Sequence, residues 1–327
     1  MRLPRIEAGP PSGVILKGFL STWPYKPHRW GSGTPGDRLN RLLLSRITVM
    51  LEEQGVHAWS ALDSGRFNGL SIVRPLAWDS RVLEMPAGRL ELFVGSPYAV
   101  GRRSAEALLD ASIRDARQQG LRHLSIRVDA ADDALIHSLE AKGFLNVDAL
   151  MTFATGTGNL PTAVAIEGLA IRPATPADVI PIAVLAAEAF RDGRFRTDPS
   201  LSPELAQNVY RTWAAACCDG SAADAAIVAV SNRGPVGFIA CRMLRDTAVH
   251  LQCATGTIPL VAADESVRGQ GLGRALVAAA ANWFRQEQAV MVEIGTQLRN
   301  VAAARLYNRC GFKLVAGSLS FRLMIES

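Results

Sequence analysis

Arg268-Gly269-Gln270-Gly271-Leu272-Gly273 sets three glycines at alternate positions just before a run of apolar residues at helical spacing. Glycines spaced in this way let backbone N–H groups converge on an anion without obstruction by Cβ. A helix starting at the turn adds unpaired N–H donors and a partial positive charge to the same cradle. A pyrophosphate suits it, and Arg268 and Arg274 offer charge-assisted bonds to its oxygens. A tight loop that binds nothing is the plain alternative, because glycine turns are common.

The elements needed to hold such a cradle are legible around it. Thr257 to Ala262 is a short apolar strand, and 263–267 is the loop that delivers the chain into the turn. Leu272, Ala275, Leu276, Ala279, Ala280, Trp283 and Phe284 then recur at i, i+3, i+4, i+7, i+8, i+11 and i+12, one buried helical face. A strand from Met291 to Thr296 follows, then Asn300 and a helix ending Leu306-Tyr307-Asn308-Arg309-Cys310-Gly311-Phe312. Glu293, 20 residues past Gly273, stands near the spacing of a dinucleotide-binding acid. That reading is opposed by the Gly-x-Gly-x-Gly order and by the five-residue loop between strand and turn.

Composition narrows the partners. The 327 residues carry 35 Lys+Arg against 30 Asp+Glu, a net charge of +5. This mild basicity fits a polyanionic small ligand, and no basic run with interleaved aromatics points to nucleic acid. Cys217, Cys218, Cys241, Cys253 and Cys310 show no metal-ligand spacing, so reduced thiols and no metal are expected. The start lacks a signal-peptide core and no stretch reads as a membrane span, so the expectation is a cytoplasmic protein without a membrane partner. Pro and Gly cluster in residues 1–36, which suggests an irregular leader. Asp37 to Gln54 has helical texture, and strand-like runs follow at Val56 to Leu62, Phe67 to Val73 and Arg89 to Val94.

Sliding the halves of the chain against one another reveals a repeat. Phe144 and Phe312 each close a Gly-Phe after a helical stretch, and 312 − 144 = 168. The same offset sets Gly101 on Gly269, Leu108 on Leu276, Gln118 on Gln286, Ile126 on Ile294 and Gly143 on Gly311 without a gap. A helix, a strand and a second helix in one register imply duplication. The Gly/Thr-rich stretch Thr155 to Asn159 suggests a flexible boundary.

The turn, its helix, the next strand, Asn300 and the Tyr307 helix together resemble the GNAT N-acetyltransferase superfamily. The resemblance implies an α/β (α+β) tandem fold, with a mixed central sheet flanked by helices in each domain. It implies that acetyl-CoA binds through Val261, Ala262, Ala263, Arg268, Gly269, Gln270, Gly271, Leu272, Gly273, Arg274 and Asn300. It also implies that Tyr307 protonates the departing thiolate, a donation a phenol can make at neutral pH. N–H groups at the opened strand near Val261 to Ala263 would stabilise the carbonyl oxygen as charge builds on it. Taken alone, a Tyr on an amphipathic helix is as well explained by packing.

Residues 76–327 further resemble nucleotide-amino-sugar acetyltransferases such as the TDP-fucosamine enzymes. Leu76-Ala77-Trp78-Asp79-Ser80, Pro86, Arg89, Ala189-Phe190, Arg194-Phe195-Arg196, Tyr210, Trp213 and Thr296-Gln297 carry that likeness. It implies an amine acceptor, of nucleotide-sugar type, met by Phe190, Arg194, Arg196 and Tyr210. Val82-Leu83-Glu84 stands where Phe-Phe-Gly is usual, and residues 1–75 have no obvious counterpart in that group, which leaves the acceptor open. The general base is unassigned, with Glu293 the nearest carboxylate and a water chain equally suitable.

Carried back by 168, Arg268 becomes Val100, Gly271 becomes Arg103, Gly273 becomes Ala105, Asn300 becomes Asp132 and Tyr307 becomes Leu139. There Cβ atoms and the bulk of the charged Arg103 side chain are expected to crowd the anion cradle, and Leu139 cannot donate a proton, so the first copy is expected to be catalytically silent. The expected plan is a leader at 1–36, a degenerate GNAT-like domain at 37–157 and a catalytic domain at 158–327, as monomer or homodimer. An acetyltransferase for another amine, or an acyl-CoA-binding protein without turnover, remain as alternative functions.

Overall fold

The computed structural model describes every residue except 1–2, 31–33, 96–97, 164, 268 and 327. The chain divides into two compact units. One holds residues 1–149 and 317–327, the other residues 150–316.

In chain order the first unit contains β1 (Arg5–Ala8), α1 (Gly13–Thr22), α2 (Gly36–Leu51), β2 (His57–Asp63), β3 (Arg66–Pro75), α3 (Ala77–Val82), β4 (Ala87–Val94), α4 (Tyr98–Gln118), β5 (His123–Asp129), α5 (Asp133–Ala141) and the start of β6 (Leu145–Gly156). The second has the rest of β6, then β7 (Ala170–Pro173), α6 (Val179–Ala189), α7 (Arg194–Thr197), α8 (Pro203–Cys218), β8 (Ala225–Ser231), β9 (Gly234–Leu244), α9 (Arg245–Leu251), β10 (Thr255–Ile258), β11 (Val261–Ala263), α10 (Leu272–Gln286), β12 (Met291–Gln297), α11 (Val301–Arg309) and the start of β13 (Lys313–Met324).

Adding 168 to β2 gives 225–231, the bounds of β8. The same sum turns β5 into β12, α5 into α11 and β6 into β13, residue for residue at both ends. The repeat also reaches further back than the sequence comparison took it. Adding 168 to α2 gives 204–219 against α8 at 203–218, and adding it to α1 gives 181–190 against α6 at 179–189. The expected irregular leader is thus corrected. Residues 5–22 form the strand and helix that answer to β7 and α6, and Leu16, Leu20 and Trp23 are buried with Leu43, Ile47, Leu70, Ile72 and Phe93. Pro and Gly density marked the joints around these elements and hid the apolar spacing of Leu16 and Leu20 between them.

Each unit is a mixed sheet with helices on both faces. In the first the strand order is β1-β2-β3-β4-β5-β13, in the second β7-β8-β9-β10-β12-β6, and the β4–β5 and β10–β12 pairs are the parallel ones. The cores show the two-sided cover. Leu108 and Leu109 of α4, with Leu135 and Leu139 of α5, bury one face of the first sheet, and α10 with Tyr307 of α11 does the same in the second.

The last strands change sides. Residues 150–156 of β6 pair antiparallel with β12, while 318–324 of β13 pair antiparallel with β5. The two registers match, since 156 pairs with 291 and 324 with 123, again 168 apart. This places the division between units at 149/150 rather than at the sequence-based 157/158. The stretch expected to be a flexible boundary is instead held: Thr157 is buried, its N–H donates to Val290 O at 2.9 Å and its hydroxyl donates to Ala289 O at 2.5 Å.

Candidate active site

The site is built where two parallel strands stop pairing. β10 and β12 run together from Thr255↔Met291 to Ile258↔Ile294, after which the chain reaches Pro259, which has no N–H to give the ladder. Beyond it β11 pairs with β9 alone, Val261 opposite Ile239 and Ala263 opposite Gly237. Between Thr257↔Arg242 and Val261↔Ile239 three residues of one strand oppose two of the other, a β-bulge. The single strand expected over 257–262 is therefore two, re-aimed at Pro259. Meanwhile β12 continues to Gln297 against β6. Among the described residues β11 has no partner strand on the side away from β9, so on that side the backbone groups of Val261, Ala262 and Ala263 make no ladder bonds.

The glycine turn enters from the end of β11. Asp264 accepts from the Ser266 N–H at 2.8 Å and so closes the short turn before it. Gly269 and Gly271 both hold positive φ, +78° and +85°, a conformation that costs a residue with a Cβ about 1–2 kcal/mol. Gly271 caps α10 with no side-chain hydrogen bond, and the first helical bond is Ala275 N–H to Gly271 O at 3.1 Å. Among the described residues the N–H groups of Leu272, Gly273 and Arg274 meet no acceptor, at the positive end of a 15-residue helix. Gly273 has a different task. A Cβ there would meet Leu306 Cδ2 at 2.8 Å, so its absence lets α10 lie close against α11, the helix that carries Tyr307.

The expected site residues fall into two groups. Gly269, Gln270 and Arg274 are exposed around the turn, whereas Leu272 is buried and offers only its backbone. Gln270 donates to Ser266 O at 3.3 Å, bracing the turn. Arg268 lies outside the described residues. Asn300 is the N-cap of α11, its Oδ1 accepting from the Ala303 N–H at 3.1 Å, which leaves its amide hydrogens for a ligand. Tyr307 is 3% exposed, between the rings of Phe153 and Phe312 at 5.8 and 6.0 Å. Burial pushes its phenol above the ordinary value of 10, with Cys310 adding to the rise, so it holds its proton at neutral pH.

The residues expected to meet the acceptor form a cluster of their own at the end of α6. Tyr210 stacks on Phe190 at 4.9 Å and 16°, with Phe195 edge-on at 6.1 Å. Arg196 donates to the carbonyls of Ala187 at 2.9 Å and Phe190 at 3.3 Å, closing the C-terminus of α6. Arg194 lies over the Phe195 ring at 4.4 Å. The α6 cap accounts for the position of Arg196 without a ligand, and only its remaining N–H groups can serve one.

In the first copy the same places are closed. β4 runs without interruption to Val94 and keeps one register with β3 from Gly69↔Val94 to Pro75↔Gly88, so there is no bulge. α4 already starts at Tyr98, which absorbs Gly101, Arg103 and Ala105, the counterparts of the turn, into helix. Arg103 does not crowd a cradle, since no turn exists there. It is drawn aside by Asp63, at 2.7 Å. Asp132 keeps the N-cap of Asn300 by accepting from the Leu135 N–H at 3.2 Å, and Leu139 replaces Tyr307 in the core.

Residues 187–312 match the family model described as Acetyltransferase (GNAT) family. The chain thus carries a GNAT acetyltransferase domain, an enzyme domain, within a tandem GNAT fold. It is 25% identical over 251 residues to the spore coat polysaccharide biosynthesis protein SpsD of Bacillus subtilis, covering 76% of this chain and 82% of that protein. It is 24% identical over 243 residues to the dTDP-fucosamine acetyltransferase of Escherichia coli, covering 73% and 92%. Among solved structures, a GCN5-related N-acetyltransferase from Sphaerobacter thermophilus superposes with a TM-score of 0.66 over 100% of this chain and 98% of that one, at 16% identity. A tandem GNAT protein from the clavulanic acid biosynthesis pathway does so with a TM-score of 0.55 over 99% of both, at 12% identity.

Proposed function

We propose that the protein moves an acetyl group from acetyl-CoA to a primary amine, the amino group of a nucleotide-linked amino-deoxy sugar, and that the second copy alone does so. The observation that carries this is the open strand edge beside an uncapped helix N-terminus, present in the second unit and closed by helix and unbroken strand in the first. The residues fit an acyl-CoA on two counts: Gly269 and Gly271 make a cradle that Cβ atoms would strain, and the N–H groups of Leu272 to Arg274 face it with no side-chain cap.

In this reading the turn binds the pyrophosphate, with Arg274 and the Asn300 amide adding contacts. Bound acetyl-CoA supplies an activated acyl carbon. Backbone N–H groups along Val261 to Ala263 polarise its carbonyl. Tyr307 donates a proton to the sulfur as it leaves, and Cys310 stays packed in the core with no part in the chemistry. Phe190, Arg194, Arg196 and Tyr210 line the approach of the acceptor. The sugar class draws its support from the two relatives, whose names concern polysaccharide biosynthesis and a nucleotide amino sugar. No described helix is long and apolar enough to cross a membrane. A cytoplasmic place suits a user of acetyl-CoA, as a monomer or homodimer.

Thiol release from acetyl-CoA, measured against nucleotide amino sugars and simple amines, tests the proposal. Preference for a nucleotide amino sugar supports it. Preference for an antibiotic, an amino-acid derivative or a protein amine replaces the acceptor, and tight acetyl-CoA binding without release to any amine removes the enzymatic reading of this chain.

A further inference from the structure

One row of side chains in the second unit has no part in the scheme above. Register sets Arg242 of β9 opposite Thr257 of β10, and Thr257 opposite Glu293 of β12. Residues one step along these strands, Cys241, Ile258, Val292 and Ile294, belong to the core beneath α10. Because side chains alternate, the row faces the other way. On that face α6 and α8 pack over Phe238 and Ala240 of β9. Their cover stops short of the row: Arg242 is exposed, Thr257 and Glu293 are half-buried, and Gly295 beside them is exposed. The row ends one residue before Ile258 and Ile294, where β10 and β12 part.

The first copy serves as an internal control. Subtracting 168 gives Arg74, Arg89 and Ser125. Arg74 is locked there by Glu53, donating from Nε at 3.1 Å and from an Nη at 2.7 Å. Glu53 becomes Ser221 in the second copy, and Arg242 makes no hydrogen bond or ion pair among the described residues. Glu293 in turn replaces Ser125. A carboxylate and an unengaged guanidinium thus occur together only in the copy that keeps the glycine turn.

We propose that this row is the floor of the acceptor site, where Glu293 takes a proton from the acceptor's ammonium group and Arg242 holds a phosphate carried by the same molecule. The inference rests on the acetyltransferase reading and deepens it by assigning, within that acceptor class, the residue that takes the ammonium proton and the residue that holds the phosphate, about two strand spacings, ~10 Å, apart. The ammonium proton passes to a Glu293 oxygen, and the freed lone pair forms the bond to the acetyl carbon as the carbon–sulfur bond breaks. The thiolate takes the Tyr307 proton. The second proton on the new amide nitrogen restores the phenol through water, and Glu293 returns its own proton to solvent.

The test compares a nucleotide-linked amino sugar with the methyl glycoside of the same amino sugar, which keeps the amine and lacks phosphate. Arg242→Gln is expected to raise KM for the nucleotide sugar about 10-fold more than for the glycoside, with kcat little changed, as loss of a bond to a charged group does. Calorimetry of the nucleotide sugar with CoA present should show the same weakening. Glu293→Gln is expected to lower kcat about 10²- to 10³-fold and abolish the acid limb of the kcat/KM profile, with Glu293→Asp restoring part of the rate. Acetyl-CoA affinity of each variant reports an intact fold, and if Glu293→Gln does not fold, a displaced acid limb in Glu293→Asp decides the same point. Equal effects of Arg242→Gln on both acceptors, or an acid limb that survives the loss of Glu293, overturn the proposal while wild-type turnover leaves the acetyltransferase reading standing. No thiol release by the wild type with any amine overturns both.

Discussion

Asp132 carries an electrostatic load that its counterpart Asn300 does not. Its carboxyl is 3% exposed and caps α5, with Asp129 and Asp133 close by. Burial, reinforced by those two carboxylates against the Leu135 hydrogen bond, raises it from 3.8 to about 6. A carboxyl raised on folding is most favourable while protonated in both states. Its contribution is therefore whole below pH ~4, declines as pH rises through the interval to ~6, and above that the ionised group costs stability. Two pKa units at ~1.4 kcal/mol each set a ceiling of about 3 kcal/mol at pH 7.5. Asn caps a helix about as well as Asp, and the second copy uses it at this position. Asp132→Asn should accordingly stabilise the protein by about 1–3 kcal/mol at pH 7.5 and by nothing measurable at pH 4. Denaturant titrations of both proteins across pH 4–8 measure this. A gain that does not vary with pH, or a less stable variant at pH 7.5, would refute the reasoning.

Tyr307→Phe keeps the ring between Phe153 and Phe312, so melting should hardly move while kcat falls about 10²- to 10⁴-fold, and unchanged turnover would remove the proton-donor role. Gly271→Ala forces a Cβ into φ +85° at the mouth of the turn and should weaken acetyl-CoA binding, read by calorimetry, about 10-fold with a stability loss of about 1–2 kcal/mol. Asn300→Asp retains the cap and loses the amide donor, whereas Asn300→Ala loses both; only the alanine variant should lose about 1 kcal/mol of stability, and both should bind acetyl-CoA less tightly. Ending the chain at Ala316 removes the strand that pairs with β5, so hydrogen exchange should speed up at His123–Asp129 in the first unit, far from the cut in sequence.

The site was legible in proportion to how local its physics is. Alternate glycines before an amphipathic helix imply positive φ and an uncapped N-terminus from spacing alone, and Gly269, Gly271 and α10 carry both. The 168-residue register was visible from Gly101 onward because β5, α5 and β6 answer to β12, α11 and β13 without a single insertion. It was lost before that point because α1 and α2 share packing rather than residue identity with α6 and α8. Arg103 illustrates the limit: its charge and bulk argued for a crowded turn, but helix had already replaced the turn, and Asp63 from a distant hairpin holds the side chain.

The sequence by itself determined the duplication, the glycine turn and the loss of Tyr307 and Asn300 from the first copy, since each depends on residue type at fixed spacing along one stretch of chain. Tertiary structure alone decided where β10 leaves β12, which strand completes each sheet, and that Arg242, Thr257 and Glu293 share a row. Those depend on which backbone donors and acceptors find one another across tens to hundreds of residues, and hydrogen-bond partnership at that range leaves no local trace in the chain.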